Sequence, residues 1–227
     1  MKLTDADIVN AIRAGLGTEK AVNEAYIVGQ KTFDIKTDAL SGKTIVAHEQ
    51  LLSEYVDTLN EVSAQLDTVD RAVANSDHST YRSLKIDESY NLNACFLHGM
   101  YFDNIGKLNS VITADTLTFM RLERDFGSFD DWQRDFIACA MSARSGWAVL
   151  VYNAFLKRYV NTIVDLHSSQ VPINSYPIIV LDVWEHAYYR DYLDDRKAYV
   201  FAMMKELNWE LIEQRVDRAE KIGKVLT

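Results

Sequence analysis

The sequence predicts an α+β protein, with an N-terminal antiparallel helical hairpin followed by an α+β region that carries a three-stranded antiparallel sheet. Three observations lead there. Apolar residues recur at three- and four-residue steps from Thr44 to about Val73, the period of a helix with one buried face. Three short runs rich in β-branched and aromatic residues cluster between Gly146 and Trp184. Only nine Gly and two Pro occur in 227 residues, with 48% hydrophobic and 25% charged, a composition neither disordered nor fibrous. At roughly 150 residues per domain, this length is one large domain or two small ones. The texture divides it into an N-terminal arm (1–30), a helical hairpin domain (31–110) and an α+β C-terminal domain (111–227).

The arm holds two short helical patterns, DADIVNAIRAG and TEKAVNEAYIVGQ. In the stretch 44–73, Ile45, Leu51, Leu52, Tyr55, Leu59, Val62, Leu66 and Val69 mark one face of a long helix, straight or kinked. NSDHSTYRSLKID is polar and aperiodic and reads as a loop, after which SYNLNACFLHGMYFDNIGKL resumes a helix rich in large residues. Beyond Gly106 come two helical patterns, TADTLTFMRLERDFG and FDDWQRDFIACAMSA, the second stopping near Ser145 and Gly146. The strands are expected at 146–153, 158–167 and 176–184, and the chain closes on helices over 191–207 and 209–225.

Composition excludes several functions. A net charge of −9 repels phosphate backbones, so nucleic acid is not an expected partner. No apolar window is long enough to span a membrane, and MKLTDADIVNAIRAG does not read as a secretory leader. The two cysteines, Cys95 and Cys139, lie in apolar settings and are too sparse for a disulfide framework, so a reducing, cytoplasmic setting is expected.

Five histidines remain as candidates for chemistry. A lone histidine on an apolar helix face is more often a satisfied core residue than a ligand, and His78, in a polar loop, reads as solvated. The others make a set. His48 and His98 sit on the two arms of the hairpin among bulky residues, where antiparallel pairing points both inward at similar depth. Asp182 and His186 are four residues apart where the third strand hands over to a turn or helix, so a carboxylate and an imidazole can converge. Three neutral imidazoles and one carboxylate suit iron or manganese at least as well as zinc, and do not suit copper(I).

The segment LDVWEHAYYRDYLDDRKAYVFAMMKELNW resembles the C-terminal signature of iron/manganese superoxide dismutases, whose D-V-W-E-H-A-Y-Y it matches letter for letter. FLHGMYFDNIG is similar to the family's second-ligand helix, and FGSFDDWQRDFIACAMSARSGWAVLVYN to its F-G-S-F…G-S-G-W-A segment, so the resemblance covers about residues 31–215. It implies a superoxide dismutase that converts superoxide to dioxygen and hydrogen peroxide, with one Fe or Mn per subunit, Fe slightly preferred, cycling between trivalent and divalent states. The implied ligands are His98, Asp182, His186 and His48. For the last, aligning Tyr55 with the family's funnel tyrosine puts Ala47 at the ligand position, whereas aligning SGKTIVAH with the family's S-x-x-T-x-x-x-H puts His48 there; the second alignment is preferred.

The resemblance also assigns roles around the metal. Tyr55 and His167 order solvent and funnel, with His167 replacing a glutamine whose alternative location holds Ala94. Phe102, Trp147 and Trp184 form an aromatic cage, and Arg196 is the funnel arginine, with Arg190 a second local cation. Glu185 and Tyr189 stand at a two-fold interface, which implies a homodimer or homotetramer, and Leu52 or Leu51 replaces the usual gateway histidine. Two other readings share this sequence. One is a redox-silent structural or assembly protein of the same fold, which the complete ligand set disfavours. The other is a different mononuclear iron oxidoreductase, for which the large aromatics leave little room.

Overall fold

The computed structural model describes residues 25–105 and 107–226. Most of the expected N-terminal arm, residues 1–24, lies outside the described residues, as does Gly106. The rest of the arm, 25–30, is extended rather than helical, because its backbone is held by the hairpin: Val28 N–H donates to Asn60 Oδ1 (2.7 Å) and Asn60 Nδ2 donates back to the Val28 carbonyl (3.1 Å).

Helix α1 (Gly42–Thr68) starts at Ser41, whose hydroxyl accepts from Thr44 N–H. Its buried stripe of Thr44, His48, Leu52, Val56, Leu59, Val62 and Leu66 follows the expected period. It stops short of Val73 because the Arg71 guanidinium binds the Leu66 and Val69 carbonyls, capping the last turn. Helix α2 (Thr80–Asn104) begins inside the stretch read as a loop. Ser79 caps it by accepting from Arg82 N–H, and Leu84 packs with Val62 and Leu66, so tertiary contact overrides the polar local sequence. The pair is antiparallel: the end of α1 meets the start of α2 there, and His48 meets His98 at the other end, with ring centres 5.1 Å apart.

Helices α3 (Leu117–Phe126) and α4 (Phe129–Ser142) lead into the sheet of β1 (Gly146–Asn153), β2 (Arg158–Asp165) and β3 (Ser175–Asp182). The sheet is antiparallel in the order β2-β1-β3. The central strand is almost wholly buried, and a β-carbon at Gly146 would collide with the Val164 carbonyl, which requires glycine there. The register sets Trp147 opposite Asp182 on one side and Val164 on the other. His167, expected at the end of the second strand, lies two residues beyond it in a turn.

The stretch after β3 expected as a turn or helix is helix α5 (Glu185–Tyr192), and the closing pattern 191–207 starts in its last two residues and then forms a separate helix, α6 (Arg196–Met203). Leu193 takes a left-handed φ of 52° and Asp195 caps α6 through Ala198 N–H, so the chain turns between them. Helix α7 (Trp209–Leu226) follows as expected. The hairpin, the sheet and the C-terminal helices enclose one large core that includes Leu52, Tyr101, Phe102 and Trp147. Among the described residues, no helix is long and apolar enough to cross a membrane.

Candidate metal centre

Four elements deliver one side chain each to the same point. His48 comes from the buried stripe of α1 and His98 from the facing stripe of α2; Asp182 ends β3, and His186 stands in the first turn of α5. The Nε2 atoms of His48, His186 and His98 lie 3.1, 3.2 and 3.7 Å from a single oxygen, Asp182 Oδ2. All four ligand atoms fall within 4.8 Å of one another, and three of the four residues are buried.

Hydrogen bonds orient these ligands from behind. Asp182 Oδ1 accepts from Trp184 N–H at 2.8 Å, which turns Oδ2 toward the histidines. His98 Nδ1 donates to the Ala94 carbonyl at 2.7 Å, so its Nε2 carries the lone pair. That Nε2 is fully buried and has no hydrogen-bond partner. An orphaned polar atom in a core costs about 1–3 kcal/mol, and a cation beside Asp182 Oδ2 would satisfy it. Burial pushes the His48 and His98 pKa values down, favouring the neutral ligand form. Burial opposes the Asp182 carboxylate, yet His186 and His48 together outweigh it and hold the group well below the usual carboxylate range. A carboxylate among three imidazoles is the donor set of a divalent or trivalent first-row metal, so the residues fit an iron or manganese ion.

The other expected residues gather around this point. Phe102 packs on His48 (ring centres 4.9 Å apart), Trp147 on His98 (4.8 Å) and Trp184 on His186 (5.7 Å). His167, fully buried, bridges two of the expected partners: Trp147 Nε1–H donates to its Nδ1 at 3.1 Å, and its Nε2 lies 3.0 Å from the Tyr55 hydroxyl. Indole nitrogen only donates, so His167 carries its proton on Nε2 and gives it to the Tyr55 oxygen. The Tyr55 hydroxyl hydrogen is thereby left for another acceptor. Burial pushes the His167 pKa down to about 4 and raises that of Tyr55.

A cavity of about 490 Å³ opens onto His48 and His186, with Leu51, Glu185, Tyr189 and Arg190 on its walls. Of the two candidates for the gateway position, Leu51 lines this cavity and Leu52 is buried in the core. Arg196 is not on its wall. The guanidinium is taken up by the Ala143 and Arg144 carbonyls and the Tyr188 hydroxyl, while Arg190 lies on the cavity wall together with Glu54 and Glu185. His78 is exposed in the loop before α2, away from the cluster. Sequence reasoning missed Tyr90, whose ring lies 4.7 Å from His167; its place two helical turns before His98, with Ala94 between, was the available signal.

Residues 115–215 match the family model described as iron/manganese superoxide dismutases, C-terminal domain. The chain is similar to the superoxide dismutase [Fe] of Aquifex pyrophilus, 33% identical over 193 residues that cover 83% of this chain and 90% of the relative. It is 35% identical to the superoxide dismutase [Fe] of Cupriavidus metallidurans over 77% of this chain and 87% of that one. The superoxide dismutase [Mn] 2 of Halobacterium salinarum is 33% identical over 75% of this chain and 82% of its own length.

Proposed function

The chain belongs to the iron/manganese superoxide dismutase family and is an enzyme of that type, and from this premise we propose that His48, His98, Asp182 and His186 hold its metal ion. The observation that carries the assignment is His98 Nε2, buried, unpartnered and 3.7 Å from Asp182 Oδ2. A bound iron or manganese ion would supply one-electron chemistry, alternating between trivalent and divalent states. The balance is two superoxides and two protons to one dioxygen and one hydrogen peroxide.

The protein groups do the rest. Asp182 contributes the single negative charge of the ligand set, and imidazoles, which bind a metal as neutral rings, would add none. Trp147, His167 and Tyr55 form a chain of hydrogen bonds that fixes the Tyr55 hydroxyl, the proton donor in this reading. Phe102, Trp147 and Trp184 exclude water around the ligands, and Arg190 offsets the acidic surface for an anionic substrate at the cavity mouth. Glu185 and Tyr189, exposed beside His186, are the proposed contacts to a second subunit.

Metal analysis of the purified protein, beside superoxide assays of iron- and manganese-reconstituted samples, tests this reading. One metal per chain with activity in at least one of the two forms is expected. A protein that binds neither metal stoichiometrically, or binds both without activity, would overturn it.

A further inference from the structure

His167 has to present Nδ1 to Trp147 and Nε2 to Tyr55 at the same time, and no regular element holds it. It lies in the turn after β2, next to Leu166 with its left-handed φ of 55°. An imidazole can turn about its Cβ–Cγ bond unless its faces and edges are packed. Trp184 stacks on it at 5.4 Å and 28°. The nearest ring of all is Tyr90, at 4.7 Å and 69°, closer than Tyr55 (5.1 Å) or Trp147 (5.7 Å). Tyr90 is half-buried on α2, one helical turn from the fully buried Ala94.

We propose that Tyr90 is a positioning residue for the dismutase reaction, its aromatic edge confining His167 so that both imidazole nitrogens stay engaged with Trp147 and Tyr55. This rests on the reading of the site as a dismutase centre. The contact that confines the imidazole is to the ring; the Tyr90 hydroxyl makes a separate contact, a hydrogen bond with the Tyr55 phenol that adds to the effect of burial on that group. Trp184 and Tyr90 meet the imidazole at different angles, so together they restrict a rotation that neither prevents alone.

The test compares Tyr90→Phe and Tyr90→Leu in the metal-loaded protein. Tyr90→Phe keeps the ring and should hold kcat within about twofold of the parent, with the visible absorption band of the metal centre unchanged. Tyr90→Leu should keep the metal, lower kcat at least about fivefold with a smaller change in KM, and shift that band. Wild-type kcat and an unshifted band in Tyr90→Leu would overturn the proposal, as would a Tyr90→Phe loss equal to that of Tyr90→Leu. Should Tyr90→Leu load metal poorly, the comparison moves to a His167→Gln background, where Tyr90→Met should cost nothing further; a full additive loss there refutes coupling through His167. An inactive parent would instead defeat the dismutase reading, so the two failures are distinct.

Discussion

His48 Nε2 lies 3.1 Å from Asp182 Oδ2 although 134 residues separate them in the chain. The first turns of α1 and the last residue of β3 therefore meet only once the hairpin has packed on the sheet. In the protein without metal this contact is a hydrogen bond; a metal ion would replace the shared proton with two ligand bonds. The same relationship favours His48 over its neighbour as the proposed ligand: both line the cavity, but only His48 has a side chain that can ligate, and it reaches Asp182.

His48→Ala is expected to abolish stoichiometric metal binding while leaving α1 helical, because alanine favours the helix and the Ser41 cap is untouched. Metal content and circular dichroism of the purified variant check this together. Full metal in His48→Ala would mean that another side chain completes the site.

Glu185 opens α5 and stands exposed on the cavity wall beside His186. If a second subunit covers it, the carboxylate becomes a buried partner, and removing one member of such a pair typically costs about 3–5 kcal/mol. Glu185→Ala should shift sedimentation toward the monomer and loosen the metal. An unchanged sedimentation profile with unchanged metal retention would count against the interface.

How far these features can be read without a structure depends on where the signal resides. Strand β1 is legible to the residue, because GWAVLVYN is buried almost throughout and Gly146 marks its start. The start of α2 is not, since YRSLKID is mostly polar and its helicity depends on Leu84 reaching Val62 and Leu66. Neither Gly nor Pro announces the break at Leu193, where a leucine takes a left-handed conformation that local preference disfavours. The ligands are legible as residue types suited to a metal, and Asp182 with His186 also as a spacing. Tyr90 was not, because only the fold brings a turn after β2 against α2.

The stability of the metal-free protein should fall with acid partly through His167. Its pKa is about 4 in the folded chain against an ordinary value of 6.5, so the unfolded chain takes up the proton first. Stability gained by keeping this imidazole neutral is present above about 6.5 and is lost as pH drops toward 4. His48 and His98 act in the same direction. His167→Gln, which does not titrate, should therefore flatten the fall in denaturant midpoint between those two values without removing it. A midpoint that falls as steeply in the variant as in the parent would assign the acid sensitivity elsewhere.

The last prediction separates metal binding from turnover. His167 contacts Trp147 and Tyr55 through its two nitrogens and is not one of the four clustered residues, so in the proposed reading its effect on the reaction would run through the Tyr55 hydroxyl. His167→Ala removes the donor to Tyr55 and leaves the Trp147 indole N–H unpaired in the core, a loss of order 1–3 kcal/mol that the large surrounding core should tolerate. The variant should retain its fold and most of its metal while turnover falls at least about tenfold, equivalent to about 1.4 kcal/mol on the limiting step. Full metal with parental turnover would remove His167 from the proton path, leaving it the structural task of satisfying Trp147. A variant stripped of metal would show that the Trp147–His167–Tyr55 chain supports the ligands themselves, because Trp147 packs directly on His98.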